Sequence, residues 1–266
     1  MKKIILLLIL SGMALAAAGQ LTETREVSHF TGISASSVFD ITVTKGATES
    51  LVITADEDVM PYVRSEVSDG VLKLYIDRDV RNVKILKAAV TIKELDMVRL
   101  SGACRLASEE VFTPAKFSGD LSGASSLQLT VKTGQLSLDA SGACRATLDA
   151  TVENTVVFDF SGATKIQGNL TVDNLTVDMS GASRLELTGT ANGASFDISG
   201  TTRIQAENFL LKDASVKSSG ASRVDLHVTK SLRVHSSGAS AVRYKGSPST
   251  FDVKTSGVAG LKKINQ

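Results

Sequence analysis

The sequence predicts an all-β fold, a right-handed parallel β-helix (a solenoid) wound in coils of about 19–20 residues. Three observations predict it. First, Ser-Gly-Ala or a near variant recurs at Ser101, Ser122, Ser141, Ser161, Ser180, Ser199, Ser219, Ser237 and Ser256, at spacings of 21, 19, 20, 19, 19, 20, 18 and 19 residues. A period held that closely marks a repeat architecture. Second, alignment on those serines sorts the chain into columns of like residues. Third, the columns alternate apolar and polar on both sides of the Ser-Gly step, the period of a strand with one buried face.

At the N-terminus, Lys2 and Lys3 precede the apolar run Ile4 to Leu10, then Ser11-Gly12 and Ala14 to Ala18. This is the layout of a secretory signal peptide, read over 1–19. The run is short of the roughly 20 apolar residues a spanning helix needs. No other segment of the mature chain reads as a transmembrane helix. The expected location is extracytoplasmic: periplasm, outer-membrane surface or medium.

Residues 20–266 then read as a single β-helix domain, with irregular N-terminal rungs over 27–94 and regular Ser-Gly-Ala repeats over 95–266. In the irregular part Val38 to Val43, Ser50 to Thr54 and Val71 to Asp77 alternate as strands. Lys45-Gly46 and Asp69-Gly70 are turn dipeptides, and Glu57 to Pro61 reads as a helical turn or loop. A repeat array needs a cap, and this part is expected to supply one. A separate small β domain is the alternative.

In the regular part, three residues before each serine stand Val98, Gly119, Leu138, Phe158, Val177, Phe196, Val216, Val234 and Val253. Five residues after stand Leu106, Leu127, Ala146, Ile166, Leu185, Ile204, Val224, Val242 and Leu261. Each coil therefore holds at least two short strands around the Ser-Gly corner. Segments such as Thr188 to Asn192 and Lys245 to Ser249 close the coil. A leucine-rich repeat would show Leu-x-x-Leu-x-Leu and an Asn ladder, and a propeller blade needs about forty residues. Neither pattern is present. Right-handed winding follows from the hand of parallel crossovers.

The export signal, Phe30-Thr31-Gly32-Ile33, Phe39-Asp40-Ile41-Thr42-Val43, Asp69-Gly70-Val71-Leu72 and the serial Ser-Gly-Ala coils together resemble the head GIN domain family of auto-transporter adhesins, common in Bacteroidetes. The resemblance covers nearly the whole mature chain and implies a right-handed β-helix outside the cytoplasm. Its motifs are fold-forming residues, so it implies no catalytic or binding residue.

Composition narrows the function. The 266 residues carry a net charge of +1, from 29 basic and 28 acidic side chains. That balance gives no reason to expect nucleic acid as a partner. A serine motif present nine times cannot be one active site, and the esterase elbow Gly-x-Ser-x-Gly is absent. Cys104 and Cys144 share a column with Ser125 between them. Two coils span roughly 10 Å, beyond disulfide reach, so two free, packed thiols are expected. His29, His227 and His235 show no metal-ligand spacing. No catalytic residue, metal or cofactor is expected.

Two charged columns remain. Two residues before the serines stand Asp139, Asp159, Asp178 and Asp197; four residues after stand Arg145, Lys165, Arg184, Arg203 and Arg223. They read first as solvated stripes that neutralise each other. The sharper reading is a polyvalent ligand surface for an anionic glycan or another envelope protein. A calcium ladder on the aspartates is a third reading, without the Gly-Gly-x-Gly-x-Asp nonapeptide that builds one. The expected role is thus an exported, non-enzymatic adhesin or envelope-interaction module. The alternatives are a carbohydrate-active β-helix, of lyase or hydrolase type, and a purely structural envelope component.

Overall fold

The structure, a computed structural model, describes residues 19–264. The signal peptide read over 1–19 lies outside the described residues apart from Gly19. The N-terminal third supplies β1 (Gln20–Arg25), β2 (Gly32–Ala35), β3 (Asp40–Lys45), β4 (Ser50–Asp56), β5 (Val63–Ser68), β6 (Val71–Ile76) and β7 (Leu86–Ile92). Glu57 to Pro61, expected as a helical turn or loop, is a turn that runs into the 3-10 turn Met60–Tyr62, with Pro61 at its start. The repeats supply β8 (Met97–Leu100), β9 (Arg105–Phe112), β10 (Lys116–Leu121), β11 (Ser126–Ala140), β12 (Arg145–Phe160) and β13 (Lys165–Met179). They continue as β14 (Arg184–Ile198), β15 (Arg203–Ser218), β16 (Arg223–Ser236), β17 (Ala241–Lys245), β18 (Thr250–Thr255) and β19 (Gly260–Lys263). All 19 strands belong to one hydrogen-bonded sheet.

From β8 onward each coil pairs in parallel with the equivalent segment of the next. The register carries each sequence column into space. Leu127 lies on Ala146, then Ile166, Leu185, Ile204 and Val224. In the column on the other side of the corner, Leu138, Phe158, Val177 and Phe196 stack the same way. These side chains are buried and form one continuous core. Stacking like on like keeps apolar area facing inward in every coil, which is where a solenoid gets its stability.

The coil is more continuous than two short strands and a closing segment. From β11 to β16 a single strand of 14 to 16 residues runs from one Ser-Gly-Ala corner to the next. Thr188 to Asn192, expected to close a coil outside the strands, lies inside β14, and Thr188 to Ala191 pair with both β13 and β15. Coils of equal length bring even their bends into register, so the backbone groups there find partners on the neighbouring coil. Where lengths differ the register slips, as between Val152 and Thr155. Of the segment Lys245 to Ser249, Gly246 to Ser249 does remain a connection between β17 and β18, while Lys245 ends β17.

The Ser-Gly-Ala corner is also hydrogen-bonded from coil to coil. The Ala163 N–H donates to Gly142 O at 2.7 Å, and the Ala182 N–H to Gly162 O at 2.7 Å. The glycine has two reasons to be glycine. Gly162 has φ +81°, and a Cβ there would sit 2.6 Å from Gly142 O and 2.8 Å from its N. The column ends on Ser37, with φ +79°. The strands beneath it, β6 and β7, are joined by a long connection, Asp77 to Ile85, instead of a stacked corner. With no tight backbone below, a Cβ fits there.

Three residues after each of the first eight serines, Cys104, Ser125, Cys144, Thr164, Ser183, Thr202, Ser222 and Ser240 turn inward and are buried. Four of them reach back to the corner serine: Ser125 Oγ donates to Ser122 O at 2.7 Å and Cys144 Sγ to Ser141 O at 3.0 Å, and Ser183 and Ser240 do the same. Both cysteines are free and buried, as their spacing predicts. Burial pushes the Cys104 thiol up to about 11 and raises that of Cys144.

The N-terminal third enters the stack out of chain order. β2 pairs with both β6 and β8, and β3 with both β7 and β9. The chain thus lays down the second rung first, turns back through β4 and the β5–β6 hairpin to make the rung beneath, and then climbs. Antiparallel pairs β1–β4 and β4–β7 continue the sheet at that end. At the other end β18 pairs with β16 alone and β19 with β17 alone among the described residues, leaving Phe251 48% exposed.

Candidate functional site: the charged columns beside the corner

Register brings the predicted aspartates into one ladder. Asp120, Asp139, Asp159, Asp178 and Asp197 are successive parallel partners. The same column continues into Lys217, His235 and Lys254, and below Asp120 into Arg99. On the far side of the corner, Arg145, Lys165, Arg184, Arg203 and Arg223 form the second ladder. Every predicted site residue is at the surface, with Lys165 and Arg184 half-buried and the others exposed.

The two ladders do not neutralise each other by contact. Among the described residues no ion pair joins them. Asp120 pairs at 2.8 Å with Arg99 of its own column. Arg184 turns to Glu186, with Nε 2.7 Å from the carboxylate, and its guanidinium donates to Gln205. The Arg184–Glu186 contact is one of charge, since Nε has no aligned hydrogen bond. The Ser-Gly-Ala turn stands between the strands that carry the two columns.

Stacked carboxylates repel. Partial loss of solvent beside the neighbouring coils first, and then the charges of Asp120 and Asp159, raise the exposed Asp139 carboxyl above its ordinary value. Asp178 is raised in the same way, by partial loss of solvent and then by Asp159 and Asp197. A folded-state value above the unfolded one favours the folded state below the unfolded carboxylate range near 3.9, and that advantage is lost as pH rises through the folded value. The ladder therefore costs stability at neutral pH. Asp178→Asn is expected to raise the melting temperature at pH 7, by no more than about 1 kcal/mol of stability. The gain should shrink in high salt and vanish below about pH 4. Calorimetry across pH checks it; an Asn variant less stable at pH 7 contradicts it.

The serines and aspartates line a shallow groove of about 490 Å³, with Ser101, Ser122, Ser141, Asp120, Asp139 and Asp159 on its walls. A second groove of about 530 Å³ lies beyond the basic ladder, around Gln167, Asn169, Arg184, Glu186, Gln205 and Asn208. Gln167 Nε2 donates to Glu186 at 2.8 Å, and Thr188 Oγ1 donates to Asn169 Oδ1 at 3.2 Å. In the sequence these residues read as mere polar alternation. The signal was the amide and acid column six residues after the serine, which includes Gln167, Glu186 and Gln205. The last residue of that kind, Asp225, is 2% exposed and held by Arg243, whose Nη2 donates at 2.7 Å. Among the described residues, no three His, Cys, Asp or Glu side chains are grouped to hold a metal. No helix there is long and apolar enough to cross a membrane.

Fold and surface together define a class: a parallel β-solenoid whose surface chemistry is spread along ladders instead of gathered in one cleft. Within that class the chain belongs to the family described as "putative auto-transporter adhesin, head GIN domain", which matches residues 29–169 and 153–248. No curated protein matches it. Among solved structures, a putative adhesin from Parabacteroides merdae is similar over 93% of this chain and 97% of its own, at 20% identity and TM-score 0.74. A putative adhesin from Parabacteroides distasonis is similar over 92% and 97%, at 20% identity and TM-score 0.73. A protein from the same organism described as a putative lipid binding protein follows over 93% and 98%, at 18% identity and TM-score 0.61. At these identities the likeness is one of fold.

Proposed function

We propose that this chain is an exported, non-enzymatic binding module that engages an anionic glycan or an acidic face of another envelope protein along its basic ladder. One observation carries the reading. Arg145, Lys165, Arg203 and Arg223 stand in one register column with Arg184 between them, and none of the four forms an ion pair among the described residues. Neighbouring charges about 4.8 Å apart repel, so the column gains whenever a polyanion lies along it. Individually exposed ion pairs contribute about 1 kcal/mol or less; a polymer that meets several at once turns weak contacts into avidity. The family description supports an adhesin-like role and a place outside the cytoplasm.

The test is a glycan array of uronate-bearing and sulfated polymers, read at low and high salt. Binding is expected at low salt and should fall as salt rises. Replacing Arg145, Lys165, Arg203 and Arg223 together by serine is expected to weaken it about tenfold or more. Unchanged binding by that variant would sink the reading. Turnover of any of the polymers would favour the carbohydrate-active alternative.

A further inference from the structure

The acidic column has a second feature that the basic ladder lacks: its charge reverses along its length. Read up the rod from Asp159, the outward positions are Asp159, Asp178, Asp197, then Lys217, His235, Lys254. Three acids are followed by two lysines and a histidine. Turned end over end, that series is its own complement.

We propose that this face pairs with a second copy of the chain, antiparallel, about a two-fold axis between Asp197 and Lys217. Asp197 then meets the partner's Lys217, Asp178 meets the partner's His235, and Asp159 meets the partner's Lys254. Two-fold symmetry makes each contact twice, as an isologous interface requires. The same two chains packed parallel would set aspartate on aspartate, so charge alone selects the antiparallel arrangement. Within one chain five of the six groups are free to do so: Asp159, Asp178, Asp197, Lys217 and Lys254 are exposed and form no ion pair among the described residues. His235 is half-buried, with Nε2 covered and 3.8 Å from Asp252. The neighbouring outward column on the same strands is short on the two rungs that flank the axis, Ser195 and Ser215; Thr176 and Arg233 follow on either side, with Arg233 turned to Asp252 of its own chain. Short hydroxyl side chains let two such faces approach. The basic ladder lies across the corner and is not used, so this pairing stands independently of the glycan reading.

A charge exchange tests it. One variant carries Asp159→Lys, Asp178→Lys and Asp197→Lys; the other carries Lys217→Asp, His235→Asp and Lys254→Asp. Each removes the sign reversal over the six positions from Asp159 to Lys254. In low salt, the protein lacking residues 1–18 is expected to show twice the mass of its chain by light scattering, and each variant alone the mass of one chain. An equimolar mixture of the two variants is expected to restore the doubled mass, because every exchanged position then faces its opposite. A separate variant, Asp159→Cys with Lys254→Cys, fixes the register. These positions lie five coil steps apart, about 24 Å, too far to bridge within a chain, so oxidation is expected to give a covalent dimer. A monomeric parent protein, variants that keep the doubled mass, a mixture that stays monomeric, or oxidation that yields no covalent dimer each overturns the proposal. Mass that grows beyond a dimer would point instead to open-ended assembly and overturns it too.

Discussion

Gly162→Ala is expected to destabilise the protein by about 2–5 kcal/mol, read as a lowered midpoint in urea unfolding followed by circular dichroism. Two costs add. At φ +81° an alanine pays the left-handed penalty of about 1–2 kcal/mol. Its Cβ would also lie 2.6 Å from Gly142 O, and that atom belongs to backbone already hydrogen-bonded through Ala163 N–H. The coil beneath has to move as a unit, and over-packing of this sort costs about 1–3 kcal/mol. Gly70→Ala separates the two costs. Gly70 has φ +73°, and a Cβ added there would meet nothing within 4 Å, so about 1–2 kcal/mol is expected and no more. Equal losses at the two sites would show that the stacked corner contributes no steric constraint.

Phe158→Ala is expected to cost about 3–5 kcal/mol. The ring is fully buried, lies between Leu138 and Val177 in the register column, and stacks on Phe160 with centroids 5.1 Å apart. Neighbouring coils cannot close the gap, since their own hydrogen-bond ladders hold the spacing. Because a solenoid is stabilised coil by coil through nearest neighbours, the loss should be local first. Hydrogen exchange is expected to quicken in β11, β12 and β13 before β16. Phe251→Ala serves as the comparison: on the last rung, 48% exposed and packed edge-on against Tyr244 alone among the aromatic rings, it should cost about 0.5–1.5 kcal/mol. A Phe158→Ala protein as stable as the Phe251→Ala protein would contradict the continuous core.

Both expectations rest on columns that are legible in the sequence. Counting from the corner serines aligns Leu138, Phe158 and Val177, and they stack as counted. The same count puts Cys104 and Cys144 two coils apart with Ser125 between, and both thiols are free. The site is legible to the same depth. Asp159 on Asp178 and Arg145 on Lys165 follow from register alone. What the Asp and Arg ladders do to each other is not legible, because neutralisation depends on the angle at which strands leave the corner. Nor does polar alternation reveal that Gln167 bonds Glu186 across coils, since a side-chain hydrogen bond depends on rotamers as well as register.

The repeat, the buried face of each coil and the residue that turns each corner are dictated by the amino-acid order alone. A stack places every equivalent residue in the same surroundings, so one local constraint is written again in each coil. How the N-terminal third joins is settled only in the folded stack. β2 sits between β6 and β8, strands that follow it in the chain by dozens of residues. No period links Ile33 to Leu72 or Val98, though all three are buried in one column. Their partnership is set by the whole stack, where an unpaired edge and an apolar face must be covered by whichever segment the chain can bring back.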